Sequence, residues 1–243
     1  MRVAALYDVH GNLPALEAVL ADPRCAAADV VVCGGDLVAG PLPAECLAVL
    51  QGLGERARFV RGNGDRETVT PPDEGQLAEI GRWCAARLDT EALAAIAEWP
   101  LTVVLALDGL GEALFCHAVP EDDQRLLTAA TPDADVAREL AGCDRRIVVC
   151  GHTHVQFDRV VGSHRLVNAG SVGMPYEGSP DARWALLGPE VELVSTPYDA
   201  DAALAQLAAT GYPLVEDWFG PVVRGEISAE EATAVFEERR RGA

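Results

Sequence analysis

Hydrophobic residues in the first hundred positions follow two alternating patterns. Short unbroken runs, RVAALY at 2–7, DVVVC at 29–33 and ARFV at 57–60, are separated by stretches such as LPALEAVLAD at 13–22 and PAECLAVLQGL at 43–53. The runs have the length of buried strands and the stretches between them are helix-forming, so their order predicts α/β architecture. Residues 74–98 are helix-forming except near Asp89 and Thr90, which predicts a helical pair whose second member starts at Thr90 and Glu91.

Beyond Leu101 the apolar runs crowd together: 101–107, 112–117, 145–152, 155–161, 164–170, 182–188 and 191–197, with one helical insertion around 133–141. Gaps this short imply hairpins and some antiparallel pairing, giving a mixed α+β second half. Residues 199–209 and 228–241 are predicted helices, joined by an irregular, aromatic-rich stretch at 210–227. No repeat or linker interrupts the chain, whose 243 residues fit one domain. Its boundaries are predicted as 1–243, with a motif core over 1–197 and a C-terminal helical extension over 198–243.

Five polar motifs each follow directly on an apolar run: DVHGN at 8–12, GGD at 34–36, GNGD at 62–65, His117, and GHTH at 151–154. Ligands of open α/β sheets gather outside the carboxyl ends of strands, so motifs repeated at that position are expected to converge. Asp8 with His10, and His152 with His154, are spaced i and i+2; in extended chain that spacing turns both side chains to one face. Four of the five histidines, His10, His117, His152 and His154, lie in these motifs, and the fifth, His164, is expected in a hairpin turn. Together with Asp8 and Asp36 they point to a metal site. Mixed imidazole and carboxylate donors suit manganese, iron, zinc, cobalt or nickel better than calcium or magnesium without deciding among them; two such divalent transition-metal ions, with manganese the first to try, are the expected cofactor.

Charge narrows the partners. The chain carries 19 basic residues, all Arg, against 38 acidic ones, a formal charge of −19. Such a surface repels a nucleic-acid polymer, while a small phosphorylated substrate can still be met by metal ions at the site. The absence of Lys removes Schiff-base and P-loop chemistry. No stretch resembles a signal peptide or approaches the roughly 18 apolar residues of a membrane span, and seven Cys without a C-x-x-C pair fit reduced thiols. The expectation is a cytoplasmic protein without membrane partners.

In order and spacing, DVH, GGD, GNGD, His117 and GHTH resemble the calcineurin-like metallophosphoesterases, whose pattern runs D-x-H, G-D, G-N-x-D/E, H and G-H-x-H. NAGSVG at 168–173 is similar to the segment after GHTH in the small bacterial and archaeal phosphodiesterase branch. The resemblance implies a two-sheet β-sandwich flanked by helices. It also implies a ligand set: Asp36 bridging both ions, with Asp8, His10 and His154 at the first and Asn63, His117 and His152 at the second. Asp36, Asn63 and His117 are the implied catalytic positions. A bridging hydroxide between ions about 3.5–4 Å apart would then hydrolyse phosphodiester or phosphoanhydride bonds.

The chain departs from the pattern at Gly64, where many members of the family carry a His that assists the leaving group. A preference for good leaving groups over alkyl monoesters is the expected result. Asn12, Asp65 and Asn168 are candidates for substrate contact or for support of the ligands. For Asn12 a helix cap is the favoured role, for Asp65 a cap is an equal alternative, and Asn168 with Ser171 is expected to support GHTH. Tyr212, Trp218 and Phe219 are expected to pack against the core, the alternative being to cover the site. Three further functions compete: a non-catalytic retromer-type scaffold, opposed by the intact ligand set; a dedicated dinucleoside polyphosphate hydrolase; and a protein phosphatase, opposed by Gly64 and the short chain.

Overall fold

In a computed structural model that describes residues 1–242, the apolar runs form strands β1 (Val3–Leu6), β2 (Val30–Cys33), β3 (Ala57–Phe59), β4 (Thr102–Leu107), β5 (Gly111–Cys116), β6 (Ile147–Cys150), β7 (Phe157–Val161), β8 (His164–Asn168), β9 (Ala182–Leu187) and β10 (Val191–Thr196). They make two five-stranded sheets, ordered β10-β9-β1-β2-β3 and β4-β5-β6-β8-β7. Each sheet is mixed. In the first, β1, β2 and β3 are parallel, β9 runs against them and β10, antiparallel to β9, closes the edge; in the second, β5, β6 and β8 are parallel, flanked by antiparallel β4 and β7.

The unbroken apolar character of β1, β2 and β6 follows from burial on both faces. Val3, Ala5 and Tyr7 point between the sheets with Val32, Phe115, Val149 and Val167. Ala4 and Leu6 point the other way, onto helices α1 (Leu13–Ala21), α2 (Pro23–Ala26) and α3 (Pro43–Gln51). Tyr7 carries the one polar atom its ring brings into the inter-sheet core, and its hydroxyl donates to Val149 O at 2.9 Å. All seven cysteines are free thiols, six of them buried.

Helix α4 (Asn63–Val69) begins inside the GNGD motif and was not anticipated as an element; Asp65, in its first turn, accepts a hydrogen bond from Gly62 N and so caps it. The helical pair appears as α5 (Gln76–Ala85) and α6 (Thr90–Ala97), with Asp89 Oδ1 accepting from Ala92 N at the second start. α7 (Asp133–Glu139), α8 (Ala200–Ala208), α9 (Gly220–Val223) and α10 (Ala229–Gly242) complete the chain. The stretch expected to be irregular is more ordered: Val215–Phe219 winds as one turn of π-helix and leads directly into α9, its aromatic residues packing against α8 and α5. His164 is the first residue of β8 and not a turn residue; its Nε2 lies 3.0 Å from Cys143 O.

Register decides where the motifs end up. Leu6 lies opposite Cys33, and Cys150 opposite Asn168, so the parallel strands of each sheet finish level with one another. The residues after them therefore emerge at one edge of the sandwich.

Candidate metal centre

Two clusters form at that edge. Asp8, His10 and His154 make one, and Asp36, His117 and His152 the other, with their ligand-type atoms mutually within 4.8 Å in each. His10 Nε2 lies 3.3 Å from His154 Nε2, and His117 Nε2 lies 3.1 Å from His152 Nδ1. Asp8 Oδ1 is 3.2 Å from His154 Nε2, 3.8 Å from His10 Nε2 and 3.9 Å from His117 Nε2. Asp36 faces both ways, its Oδ2 3.7 Å from His10 Nε2 and its Oδ1 3.6 Å from His117 Nε2.

Extended backbone does not produce this arrangement, contrary to the expectation from i and i+2 spacing. Asp8, His10, Asp36, His152 and His154 all have positive φ, between 46° and 65°, and they are the non-glycine residues with positive φ among those described. Each strand ends before its motif, and the chain then kinks into the left-handed region, which costs roughly 1–2 kcal/mol per residue. His152 and His154 consequently serve different clusters. Backbone hydrogen bonds hold the kinks: Asp8 N donates to Gly35 O, His10 N to Asp36 O, and Gly173 N to Asp8 O.

Every imidazole is oriented through one nitrogen by a main-chain carbonyl. His10 Nδ1 meets Ala39 O at 3.0 Å, His117 Nδ1 meets Gly34 O at 3.0 Å, His154 Nδ1 meets Met174 O at 2.7 Å, and His152 Nε2 meets Gln124 O at 3.2 Å. A carbonyl can only accept, so the proton sits on that nitrogen and the other turns a lone pair toward the cluster. Burial pushes the His10 pKa down and that of His152 to about 4, favouring the neutral form, while for His117 the Asp36 and Asp8 carboxylates outweigh burial and push it up. Burial alone would raise Asp8; the imidazoles of His154, His117 and His10 hold it well below the carboxylate range.

These residues fit metal ions. Paired lone pairs 3.1 and 3.3 Å apart repel unless a cation lies between them, and bonds of about 2.0–2.2 Å place neighbouring ligand atoms at such separations. Asp8 Oδ1 and Asn63 Oδ1 are buried acceptors without a hydrogen-bond partner, which a cation would satisfy.

The supporting candidates separate in the structure. Asp65 is buried, and its two oxygens accept from the backbone N–H of Asp36, Leu37, Val38 and Gly62 at 2.8–3.1 Å, so it both caps α4 and holds the Asp36 loop. Burial and the Asp36 carboxylate push its pKa up to about 7, against the pull of those donors. Asn168 supports GHTH, its Nδ2 donating to Gly151 O and Thr153 Oγ1. Ser171 supports the first motif instead, its hydroxyl donating to Asp8 O. Asn12 is a fully buried cap of α1, accepting from Ala15 N and donating to Gly173 O, which leaves it no access to substrate.

The glycines of GGD and GHTH have a steric reason. A Cβ on Gly34 or Gly151 would stand 2.1 or 2.6 Å from the Tyr7 ring, so both loops close over that ring only as glycine. At Gly64 a Cβ would stand 2.7 Å from the Ala39 Cβ and 3.0 Å from Asp36 Oδ1, while Gly64 N donates to Asp36 Oδ1 at 2.6 Å.

A cavity of about 770 Å³ opens from the clusters, with His10, Asp36, Asn63, His152 and His154 on its wall. Tyr212 and Trp218 line it too, whereas Phe219 is fully buried in the core, so the aromatic stretch both packs and walls the site. Sequence reasoning missed Tyr176, whose ring stacks on His154 at 4.8 Å and 11°, and Glu67, a buried carboxylate on the cavity wall. Nothing in the sequence signals Tyr176; Glu67 becomes visible, four residues beyond Asn63, once α4 is known to be helical.

Two imidazole and carboxylate clusters sharing one cavity at the strand ends of a two-sheet sandwich define a dinuclear metallohydrolase type of site. The chain belongs to the calcineurin-like phosphoesterase superfamily, whose domain model matches residues 1–188. It is similar to the uncharacterized protein MJ0912 of Methanocaldococcus jannaschii, 25% identical over 245 residues that cover 90% of this chain and 95% of that protein. A metallophosphoesterase from Sphaerobacter thermophilus superposes with a TM-score of 0.74 at 25% identity, covering 93% of this chain and 99% of the other. The hypothetical protein PH1004 from Pyrococcus horikoshii OT3 shares the fold, with a TM-score of 0.76 at 17% identity over 90% of this chain and 98% of that one. The protein is thus a metal-dependent phosphoesterase of a two-metal family, with two candidate metal-binding clusters and a phosphorylated small molecule as its kind of substrate. Among the described residues no helix is long and apolar enough to cross a membrane.

Proposed function

We propose that the protein hydrolyses phosphodiester or phosphoanhydride bonds of a small substrate, using manganese or a similar transition metal held by Asp8, His10, Asp36, Asn63, His117, His152 and His154. The observation that carries this reading is the inward turn of four imidazoles, each tied back by a carbonyl, around two carboxylates. When bound, the two ions supply Lewis acidity toward the phosphoryl oxygens and lower the pKa of water at the centre.

The chain's own residues do the rest. Asp36, with one oxygen toward each cluster, is suited to couple the two sites, and Gly64 N–H fixes its orientation. Asn63 offers a side-chain oxygen from the first turn of α4. His117 is held by the Gly34 carbonyl with Nε2 turned inward. No side chain at position 64 can deliver a proton, and Glu67 on the same helix is engaged by Gln124 Nε2 at 3.2 Å and by Arg66 at 3.7 Å. A leaving group that departs as a stable anion is therefore favoured over an alkoxide. We further read residues 1–243 as a single domain in which the extension from 198 forms part of the site wall.

The test is hydrolysis of bis(p-nitrophenyl) phosphate by protein stripped with chelator and reloaded separately with manganese, nickel, cobalt, zinc or magnesium. Turnover restored by metal, manganese best, and a higher kcat/KM for the aryl diester than for an alkyl monoester are expected. Equal kcat/KM on the two would overturn the leaving-group preference, and no turnover with any metal would favour a binding scaffold.

A further inference from the structure

The far part of the cavity is built differently from the metal end. With 4 Trp, 4 Tyr and 5 Phe in the whole chain, four rings, Tyr176, Tyr212, Trp218 and Phe236, converge on this one cavity. Tyr176 and Tyr212 are buried behind it, whereas Trp218 and Phe236 keep part of their surface open. Leu77 on α5 and Val235 on α10, 50% and 46% exposed, also line it and are two of the six large hydrophobic side chains left exposed among the described residues. Apolar surface left open inside a cavity marks a place where a ligand is bound.

Charge argues against a second phosphate there. Asp217 and Glu231 line that part of the cavity with Arg239, two carboxylates against one guanidinium, so a further anion is disfavoured. Continuity ties the apolar part to the metal end: the Tyr176 ring stacks on His154 and stands 6.0 Å from the Phe236 ring. Most of this wall lies beyond residue 188, where the superfamily match ends. We infer that the cavity formed by α5, the 212–219 turn and α10 is a subsite for a flat, uncharged aromatic group linked to the scissile phosphate, a nucleoside base or an aryl ester. The inference rests on the phosphoesterase reading for the phosphate end only.

Isothermal titration of the metal-loaded full chain with methylphosphonate, phenylphosphonate and a thymidine 5′-phosphonate tests it. Stacking predicts that the two aromatic phosphonates bind about tenfold or more tightly than the methyl compound. In Trp218→Ala that ratio should collapse toward one. Leu77→Asp, on an exposed position that leaves the core intact, should reduce it as well. Tighter binding of the thymidine compound than of phenylphosphonate assigns a nucleoside substrate; the reverse order assigns an aryl ester. Equal affinity for all three in the unaltered protein, or no binding of any, overturns the subsite. Ring-selective binding without turnover of bis(p-nitrophenyl) phosphate would leave the subsite standing and remove the phosphodiester reading; turnover without ring selectivity would do the opposite.

Discussion

The two ends of the cavity are held by different physics. At the metal end main-chain atoms fix the imidazoles and the supporting carboxylate: carbonyls orient the four imidazoles, and four backbone N–H groups converge on Asp65. At the aromatic end the side chains hold one another by packing, as where Trp83 meets Tyr212 edge-on at 5.0 Å and Tyr212 meets Phe219 at 5.8 Å. Backbone-held geometry allows little variation in residue type, because each side-chain atom must match fixed main-chain donors or acceptors. Packed geometry allows exchange among residues of similar shape. The first end is therefore suited to conserve a reaction and the second to change its substrate.

Substitutions at the metal end should show the intolerance that this contrast demands. The largest effect is expected for Asp36→Asn, which removes charge from the one carboxylate facing both clusters: activity should fall more than about 100-fold, and metal content, measured by plasma emission, should drop below that of the parent. Retained metal-dependent turnover would break the assignment of Asp36. Asp65→Asn turns an amide NH₂ toward backbone donors and should cost about 3 kcal/mol in chemical denaturation, with metal affinity weakened about tenfold.

Smaller effects sharpen the contrast. Gly64→His, which restores the residue many family members carry, is expected to lower the thermal midpoint by an amount equivalent to about 1–3 kcal/mol and to leave alkyl monoester hydrolysis no faster, because its Cβ meets Ala39 at 2.7 Å. A gain in monoesterase activity would show that the loop yields more readily than its contacts suggest. Tyr7→Phe removes the bond to Val149 O and should cost only about 1 kcal/mol in denaturation, with kcat within twofold of the parent, about the size of assay scatter.

The metal end was legible in the sequence because its motifs directly follow buried strands, and level strand ends bring such residues together. The conformation that gathers them was not legible: i and i+2 spacing suggested extended chain, and the structure uses left-handed kinks. Helix α4 carries no apolar periodicity in its seven residues, NGDRETV, so the cap alternative for Asp65 was the one sign of it in the sequence. The aromatic wall could be seen only as composition. Which of Tyr212, Trp218 and Phe219 reach the cavity depends on the π-helical turn at Val215–Phe219, a conformation with no residue pattern of its own.

The left-handed kinks also set stability against function. At Asp8, His10, Asp36, His152 and His154 a glycine would relieve backbone strain that the present side chain imposes, and it would remove like-lone-pair contacts as well. A lineage selected for stability alone, without metal, would be expected to lose these five residues early, beginning with His152, the least buried of them. The five side chains thus cost the fold stability that a bound metal ion would return through its binding free energy.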